Sequence, residues 1–169
     1  MPPIDVTEMS SPIGRLTIAV RDGRLCAVDF GTRPKVLHTL ATCGEIRRTG
    51  AAATAAVRRQ LGAYFDGDLG ALDAIEVEAL WGTPFQRRVW AALRTIPTGE
   101  TLSYAQVARR VRSPKAVRAV GAANGANPIP IVLPCHRVIA SGGGLGGYGG
   151  GLPMKRWLLA HEGVALPSR

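Results

Sequence analysis

Acidic residues almost vanish from the second half of this 169-residue chain: between positions 82 and 169 only Glu100 and Glu162 stand against twelve Lys and Arg. The first 81 residues hold ten Asp and Glu against nine Lys and Arg, so the excess behind the net charge of +9 lies entirely in the second half. That asymmetry predicts a polyanionic partner, nucleic acid first and an acidic membrane surface second. Cysteine is scarce too. Cys26, Cys43 and Cys135 are odd in number and far apart, which argues against a disulfide framework and implies reduced thiols. Cys26, His38 and Cys43 match no compact zinc spacing and offer no fourth ligand, so neither metal nor cofactor is expected. No apolar run reaches the length of a membrane span, no internal repeat emerges, and Met1-Pro2-Pro3-Ile4-Asp5 lacks the basic and apolar regions of a signal peptide. A cytoplasmic protein of one domain, or two small ones, is the expectation.

The first part reads as strand and turn. Leu16 to Val20 and Leu25 to Phe30 flank Arg21-Asp22-Gly23-Arg24, and β-rich runs around Asp-Gly predict a hairpin. Ala51 to Phe65 carries Ala53, Val57, Leu61, Tyr64 and Phe65 at helical spacing and is closed by Asp66-Gly67-Asp68. Ile75 to Leu80 alternates like a further strand. These elements make a small α/β module over 1–81, leaving 82–169 as a second domain.

In that second domain Thr83-Pro84 is a helix start, threonine as cap and proline at the first helical position. Phe85, Val89, Trp90 and Leu93 form one apolar face up to Ile96-Pro97. After the turn Pro97-Thr98-Gly99-Glu100, Ser103 caps a short helix, Tyr104 to Val111, with Val107, Ala108 and Val111 inward. Ser113-Pro114 repeats the start signal for a helix to about Asn124. Two short helices with a three-residue turn predict a helix-turn-helix whose second member carries Lys115 and Arg118 outward. Ala116, Ala119, Gly121, Ala122 and Ala123 leave it almost no base-reading side chain, which suits close approach without sequence choice; Val117 and Val120 supply one packed face. Ser141 to Gly151 holds eight glycines around Leu145 and Tyr148, either a flexible tract or backbone that closes around a flat ligand. Pro153 opens a last helix with Trp157, Leu158 and His161 on or near its packed side and Glu162 before Gly163.

The chemistry concentrates in Asn127-Pro128-Ile129-Pro130-Ile131-Val132-Leu133-Pro134-Cys135-His136-Arg137-Val138-Ile139. Cysteine is a strong nucleophile only as thiolate, which an unperturbed pKa of about 8.5 keeps scarce at neutral pH. His136 and Arg137 follow at once and are the candidates to lower it. Three prolines stiffen the approach, as suits a group that must be aimed. Arg137 to Ala140 is strand-like, and adjacent side chains of an extended chain point apart. His136 is therefore expected to reach Cys135 through a bridging water.

Together with Thr83-Pro84-Phe85-Gln86, Gly99-Glu100-Thr101-Leu102-Ser103-Tyr104, Arg118-Ala119-Val120-Gly121, Gly147-Tyr148-Gly149-Gly150-Gly151 and Leu158-Leu159-Ala160-His161-Glu162-Gly163, this segment resembles the methylated-DNA–protein-cysteine methyltransferases, the O6-alkylguanine-DNA alkyltransferases. The resemblance is close over 82–163 and only general over 1–81. It implies an α+β (α/β) chain: a small ribonuclease-H-like N-terminal domain, then a helical C-terminal domain whose winged helix-turn-helix binds DNA and which accepts the alkyl group. It implies stoichiometric, irreversible transfer from O6-alkylguanine in duplex DNA, and from O4-methylthymine, to Cys135 after minor-groove binding and base flipping. No cofactor is implied, and a monomer, with cooperativity along DNA left open. In the implied roles, His136 and Glu162 activate the thiol, Tyr104 crowds the phosphate and hydrogen-bonds to the flipped base, and Asn127 shapes the hinge behind the thiol. Arg118 enters the base stack, among DNA-contacting positions Lys115, Ala116, Ala119 and Gly121; Tyr148, Gly149, Val138 and Pro130 line the substrate pocket. Three positions depart from the family pattern: Ala126 replaces a basic or polar residue, Gly144 a frequent lysine, and Gly149 the serine of some relatives. Two other readings stand beside this one. One is a lesion-sensing DNA-binding protein that leaves the base alkylated; the other is a Cys-His hydrolase of acyl groups, which has no use for Arg118.

Overall fold

Ile4–Ser11 (β1) turns back through a two-residue loop into Gly14–Arg21 (β2), which pairs antiparallel with it from Asp5↔Val20 to Ser11↔Gly14. Asp22 and Gly23 then take left-handed backbone, φ 52° and 80°, the combination of a type I′ turn, and β2 pairs with Arg24–Asp29 (β3) as the sequence predicts. Helix α1, Pro34–Cys43, crosses over to Ile46–Arg48 (β4), which lies parallel to β1 and completes a sheet of order β3-β2-β1-β4. The structure, a computed structural model, describes residues 1–48 and 52–166. The chain divides into two compact units, Met1–Trp81 and Gly82–Arg169.

In the first unit Val36 and Leu40 of α1 pack on Ile4, Val6, Ala19 and Ala27. Asp5, buried on the opposite face of β1, is held by Arg47 of the adjacent β4 through Nε–Oδ1 (3.1 Å) and Nη2–Oδ2 (3.3 Å). The helix expected from Ala51 is α2, Ala55–Phe65, which buries Val57, Leu61, Tyr64 and Phe65; Ala51 itself lies outside the described residues. The strand expected at Ile75 to Leu80 is not formed. Only Val77 bridges β3, through Leu25 N–H to Glu76 O and Glu78 N–H to Leu25 O, both 2.9 Å. Side chains latch the segment there instead, Glu78 to Arg21 (2.9 Å) and Glu76 to Arg24 (3.4 Å), either side of the hairpin turn.

The second unit begins at α3, Pro84–Arg94, whose Thr83 and Gln86 exchange side-chain and backbone hydrogen bonds as a capping box. Val89, Trp90 and Leu93 are buried, and the Trp90 indole N–H donates to Ala123 O (2.8 Å). Leu102–Ser103 (β5) leads into α4, Tyr104–Arg110, capped by a second box from Ser103 and Gln106. This helix ends in a Schellman motif: Arg112 N–H donates to Arg109 O, Ser113 N–H to Ala108 O, and Arg112 itself is left-handed at φ 59°. The turn Ser113 to Ala116 comes next, so α5 runs Val117–Gly125 and starts later than its Ser-Pro signal suggested. The connection between the two helices is therefore 111–116 rather than three residues, and Lys115 and Ala116 precede the second helix.

After α5 come a 3-10 turn at Cys135–Arg137, the strand Val138–Ile139 (β6) parallel to β5, and α6, Leu152–His161. Leu158 is on the packed face as expected, but Trp157 and His161 are only half-buried and stack on each other, ring centroids 4.6 Å apart. Among the described residues no helix is long and apolar enough to cross a membrane.

Gly82 joins this packing at φ 123°, and a Cβ there would lie 2.5 Å from the buried Trp90 ring. Gly82→Ala is expected to destabilise the second unit by about 2 kcal/mol, from backbone strain plus overpacking. Gly62→Ala, helical and with open space around it, should be neutral or stabilising by about 0.5–1 kcal/mol. Denaturant melts of the two variants check the contrast.

Candidate active site

The thiol sits where three local devices converge. Asn127 closes the preceding loop with both ends of its side chain, Oδ1 accepting from Ile129 N–H (2.9 Å) and Nδ2 donating to Leu133 O (2.7 Å). Leu133 N–H returns to Ile129 O (2.9 Å), and Ile131 is left-handed at φ 75°, a strained conformation for a β-branched residue. The proline-stiffened run is thus a tight turn. From α5, Asn124 Nδ2 donates to the Cys135 carbonyl (3.3 Å). Cys135 is nearly enclosed, at 5% exposure.

His136 is fully buried, and its Nε2 meets Glu162 Oε2 at 2.8 Å. Arg137 clamps the same carboxylate, Nε to Oε1 (2.7 Å) and Nη2 to Oε2 (3.0 Å). Its remaining donors reach Ile96 O (2.6 Å) and Thr98 Oγ1 (3.1 Å). Burial alone would raise the Glu162 carboxyl; the hydrogen bonds from His136 and Arg137 overcome it and hold the group at about 2. Burial lowers His136, and the hydrogen bond it donates to Glu162 only partly opposes that, so the ring is neutral at pH 7. A neutral imidazole donating from Nε2 to a carboxylate carries its lone pair on Nδ1, and Nδ1 has no protein partner. Arg137 thus spends its donors on Glu162, Ile96 O and Thr98 Oγ1. His136 does not lie on extended chain, because Cys135–Arg137 is a 3-10 turn.

Tyr104, the first residue of α4, is half-buried against the glycine-rich segment. A Cβ on Gly146, at φ 70°, would sit 2.7 Å from its hydroxyl oxygen, so only glycine admits the ring so close. Burial raises the Tyr104 pKa, the Gly147 backbone amide opposes, and negative charge on Cys135 raises it further; the phenol stays protonated at neutral pH. Val138 and Pro130 are buried, Tyr148 is half-buried and Gly149 exposed. Arg118, Lys115 and Ala119 are exposed, Ala116 and Gly121 half-buried. Among the described residues no group of three or more His, Cys, Asp or Glu could hold a metal ion, and burial pushes the Cys26 thiol up to about 11.

Sequence reading missed Lys155. It is fully buried and donates to Val138 O (2.6 Å), Gly147 O (3.0 Å) and Leu145 O. A signal was present: 155, 158, 159 and 162 share one face of α6 at helical spacing, and Lys155 occupies the core stripe beside Leu158 and Leu159.

Residues 84–164 match the family described as 6-O-methylguanine DNA methyltransferase, DNA binding domain, and residues 6–79 match the ribonuclease-like domain of the same enzymes. Over 163 residues, 94% of this chain and 92% of the relative, the sequence is 50% identical to a methylated-DNA–protein-cysteine methyltransferase of Mycolicibacterium paratuberculosis. The chain belongs to that family. Among solved structures of methylated-DNA–protein-cysteine methyltransferases, the fold is similar to Mycobacterium tuberculosis OGT in complex with DNA, with a TM-score of 0.78 and 40% identity over 98% of this chain and 96% of that one. It is also similar to the O6-methylguanine-DNA methyltransferase of the archaeon Pyrococcus kodakaraensis, with a TM-score of 0.65 and 28% identity over 95% and 99% of the two chains. Like other members of the family, this one has a ribonuclease-like N-terminal domain and a helical DNA-binding C-terminal domain.

The buried triad sets an acid limit. His136 and Glu162 both bind protons more weakly in the native state than at their ordinary 6.5 and 4.5. The unfolded chain then takes up more protons, so stability falls as pH drops through 6.5 and falls further from 4.5 toward 2. Glu162→Gln should abolish the lower step while lowering stability at pH 7. Urea melts across pH 3–8 test this, and a profile unchanged by the substitution would contradict the pairing.

Proposed function

We propose that this protein repairs DNA by taking the alkyl group of O6-alkylguanine in duplex DNA onto Cys135, once per molecule. The observation that carries the reading is the imidazole beside the thiol: Nε2 is engaged by a charged carboxylate, and Nδ1 is left as an acceptor. The Cys135 proton passes through a water to Nδ1, and Glu162 stabilises the imidazolium that forms. The thiolate then attacks the alkyl carbon in line, the carbon–O6 bond breaks, and its electron pair leaves on the purine. Tyr104, kept protonated, donates to the departing guanine and regains its proton from the imidazolium. The product is a thioether, which water does not cleave, so the site is spent.

On the DNA side, α5 is the element that meets the duplex from the minor groove, and one protein molecule acts per lesion. Arg118 fills the space of the everted nucleotide, Ala119 and Gly121 allow close approach, and Lys115 and the Ala116 backbone contact phosphate. The flipped base enters between Tyr104 and a wall of Tyr148, Gly149, Val138 and Pro130, with Asn127 holding the turn behind the thiol. O4-methylthymine presents the same alkyl ether on a smaller ring and is the second substrate. The free thiols Cys26, Cys43 and Cys135 suit the reducing cytoplasm, where we place the protein.

Incubation with a duplex carrying O6-methylguanine should add one methylene equivalent to the intact protein mass, in stoichiometric yield, and Cys135→Ala should add none. Lesion binding without mass gain would instead favour a sensor, and turnover of an ester would favour a hydrolase. The alkylated product, with a carbon added to a packed site, should be less stable by about 1–3 kcal/mol. Arg118→Ala should slow repair of duplex at least tenfold more than transfer from a free O6-alkylguanine base; equal loss on both would contradict a flipping role.

A further inference from the structure

We propose that Lys155 is a positioning residue for alkyl transfer: its ammonium pins the glycine-rich segment to β6 and thereby sets the Tyr104 phenol against the departing base. The inference rests on the alkyl-transfer reading and assigns it a residue outside the Cys, His, Glu set.

Three observations meet at this side chain. It is fully buried, on the face of α6 that also carries Glu162. Its acceptors are the backbone carbonyls of Val138, Leu145 and Gly147, which matches the three N–H donors of an ammonium. A neutral amine has two, so the full clamp requires the charge. The segment it grips, Ser141 to Gly151, holds eight glycines and has high backbone entropy unless tied. The Gly147 peptide carries the effect onward, because its carbonyl accepts from Lys155 while its amide dipole lowers the Tyr104 pKa against the pull of burial. Gly146, between the two gripped carbonyls, is the residue on which the Tyr104 hydroxyl rests. An ordered chain of contacts thus runs from the ammonium through one peptide to the group that donates to guanine. Burial lowers Lys155 to about 8, and a thiolate at Cys135 opposes that shift, so the ammonium is retained while the nucleophile is charged.

Single-turnover transfer from an O6-methylguanine duplex, measured with Lys155→Met, Tyr104→Phe and the double variant, tests the proposal. Lys155→Met is expected to slow transfer at saturating duplex at least tenfold while duplex affinity changes less than threefold. The double variant should be no slower than the slower single variant, since both lie on one path. Losses that multiply, or a folded Lys155→Met with undiminished rate, would overturn it. No mass gain in the unmodified protein would sink the alkyl-transfer reading itself, a result distinct from either.

Should Lys155→Met not fold, hydrogen exchange decides. In Cys135→Ala, which removes the charge that raises Lys155, amide protection at Ala140 and Gly151, whose N–H groups donate to Gly144 O and Tyr148 O, should fall at least fivefold, corrected for intrinsic rates, as pH rises through the Lys155 titration below about 8. The other titratable groups facing Lys155 do not titrate there: the thiol is removed, His136 is lowered and Tyr104 raised. Unchanged protection would overturn the proposal.

Discussion

Everything at the site depends on one carboxylate that stays charged while buried. Glu162, the C-cap of α6, is 4% exposed, and an ion so placed costs several kcal/mol unless its oxygens are fully paired. Arg137 supplies the matching charge in a fork and spends its other donors on Ile96 O and Thr98 Oγ1. Three segments distant in sequence are tied by this pair: the end of α3, the turn after Cys135 and the end of α6. Because Arg137 neutralises Glu162, His136 need not be cationic to accompany the carboxylate. Were the arginine absent, Glu162 would pull a proton onto the imidazole and Nδ1 would lose its acceptor lone pair. In the proposed mechanism the salt bridge is thus a condition for base chemistry at His136 as much as a source of stability.

The backbone before the thiol makes the complementary contribution. A left-handed Ile131 is unfavourable by the order of 1–3 kcal/mol and persists only where its surroundings over-determine it. Asn127 provides that constraint by binding the loop at Ile129 and Leu133, and Asn124 fixes the Cys135 carbonyl from α5. The helix that presents Arg118 outward therefore also holds the thiol's own peptide. Displacement of α5 by a ligand on its outer face would be felt directly at Cys135, with no further element between them.

Local chemistry explains which parts were legible in the sequence. The two N-caps, Thr83 and Ser103, read correctly, each completed within four residues as a capping box by Gln86 or Gln106, as does the Asp-Gly hairpin. Failures occur where a distant partner or a left-handed residue decides. Ser113-Pro114 looks like a helix start, but Arg112 has already turned the chain and a separate turn intervenes before α5. Ile75 to Leu80 alternates like a strand, yet only one residue of it bridges the edge of the sheet. β1 shows no clean alternation because Asp5 is buried by Arg47, a residue supplied forty-two positions later. α1 opens without a side-chain cap. At the site, Cys135, His136 and Glu162 were legible as a motif, whereas Lys155 was not, since its partners are carbonyls, and a carbonyl leaves no mark in the sequence.

Charge in the second unit is divided between two scales. Arg137 and Lys155 are buried and matched to particular oxygens, so neither contributes to the outer surface. Arg87, Arg88, Arg109, Arg110, Arg112, Lys115 and Arg118 are exposed, and of the unit's two acids Glu162 is buried, leaving Glu100 alone outside. The near absence of acid that first marks the sequence is therefore a surface property, with a long-range field that attracts phosphate regardless of base sequence. Small side chains on the exposed side of α5, Ala119 and Ala122, add no base-reading group to that field. On the proposed alkyl-transfer reading, selectivity arises after the duplex is bound, where the enclosed thiol, the Gly146-backed phenol and the neutral imidazole admit a reaction only with a base that has left the stack.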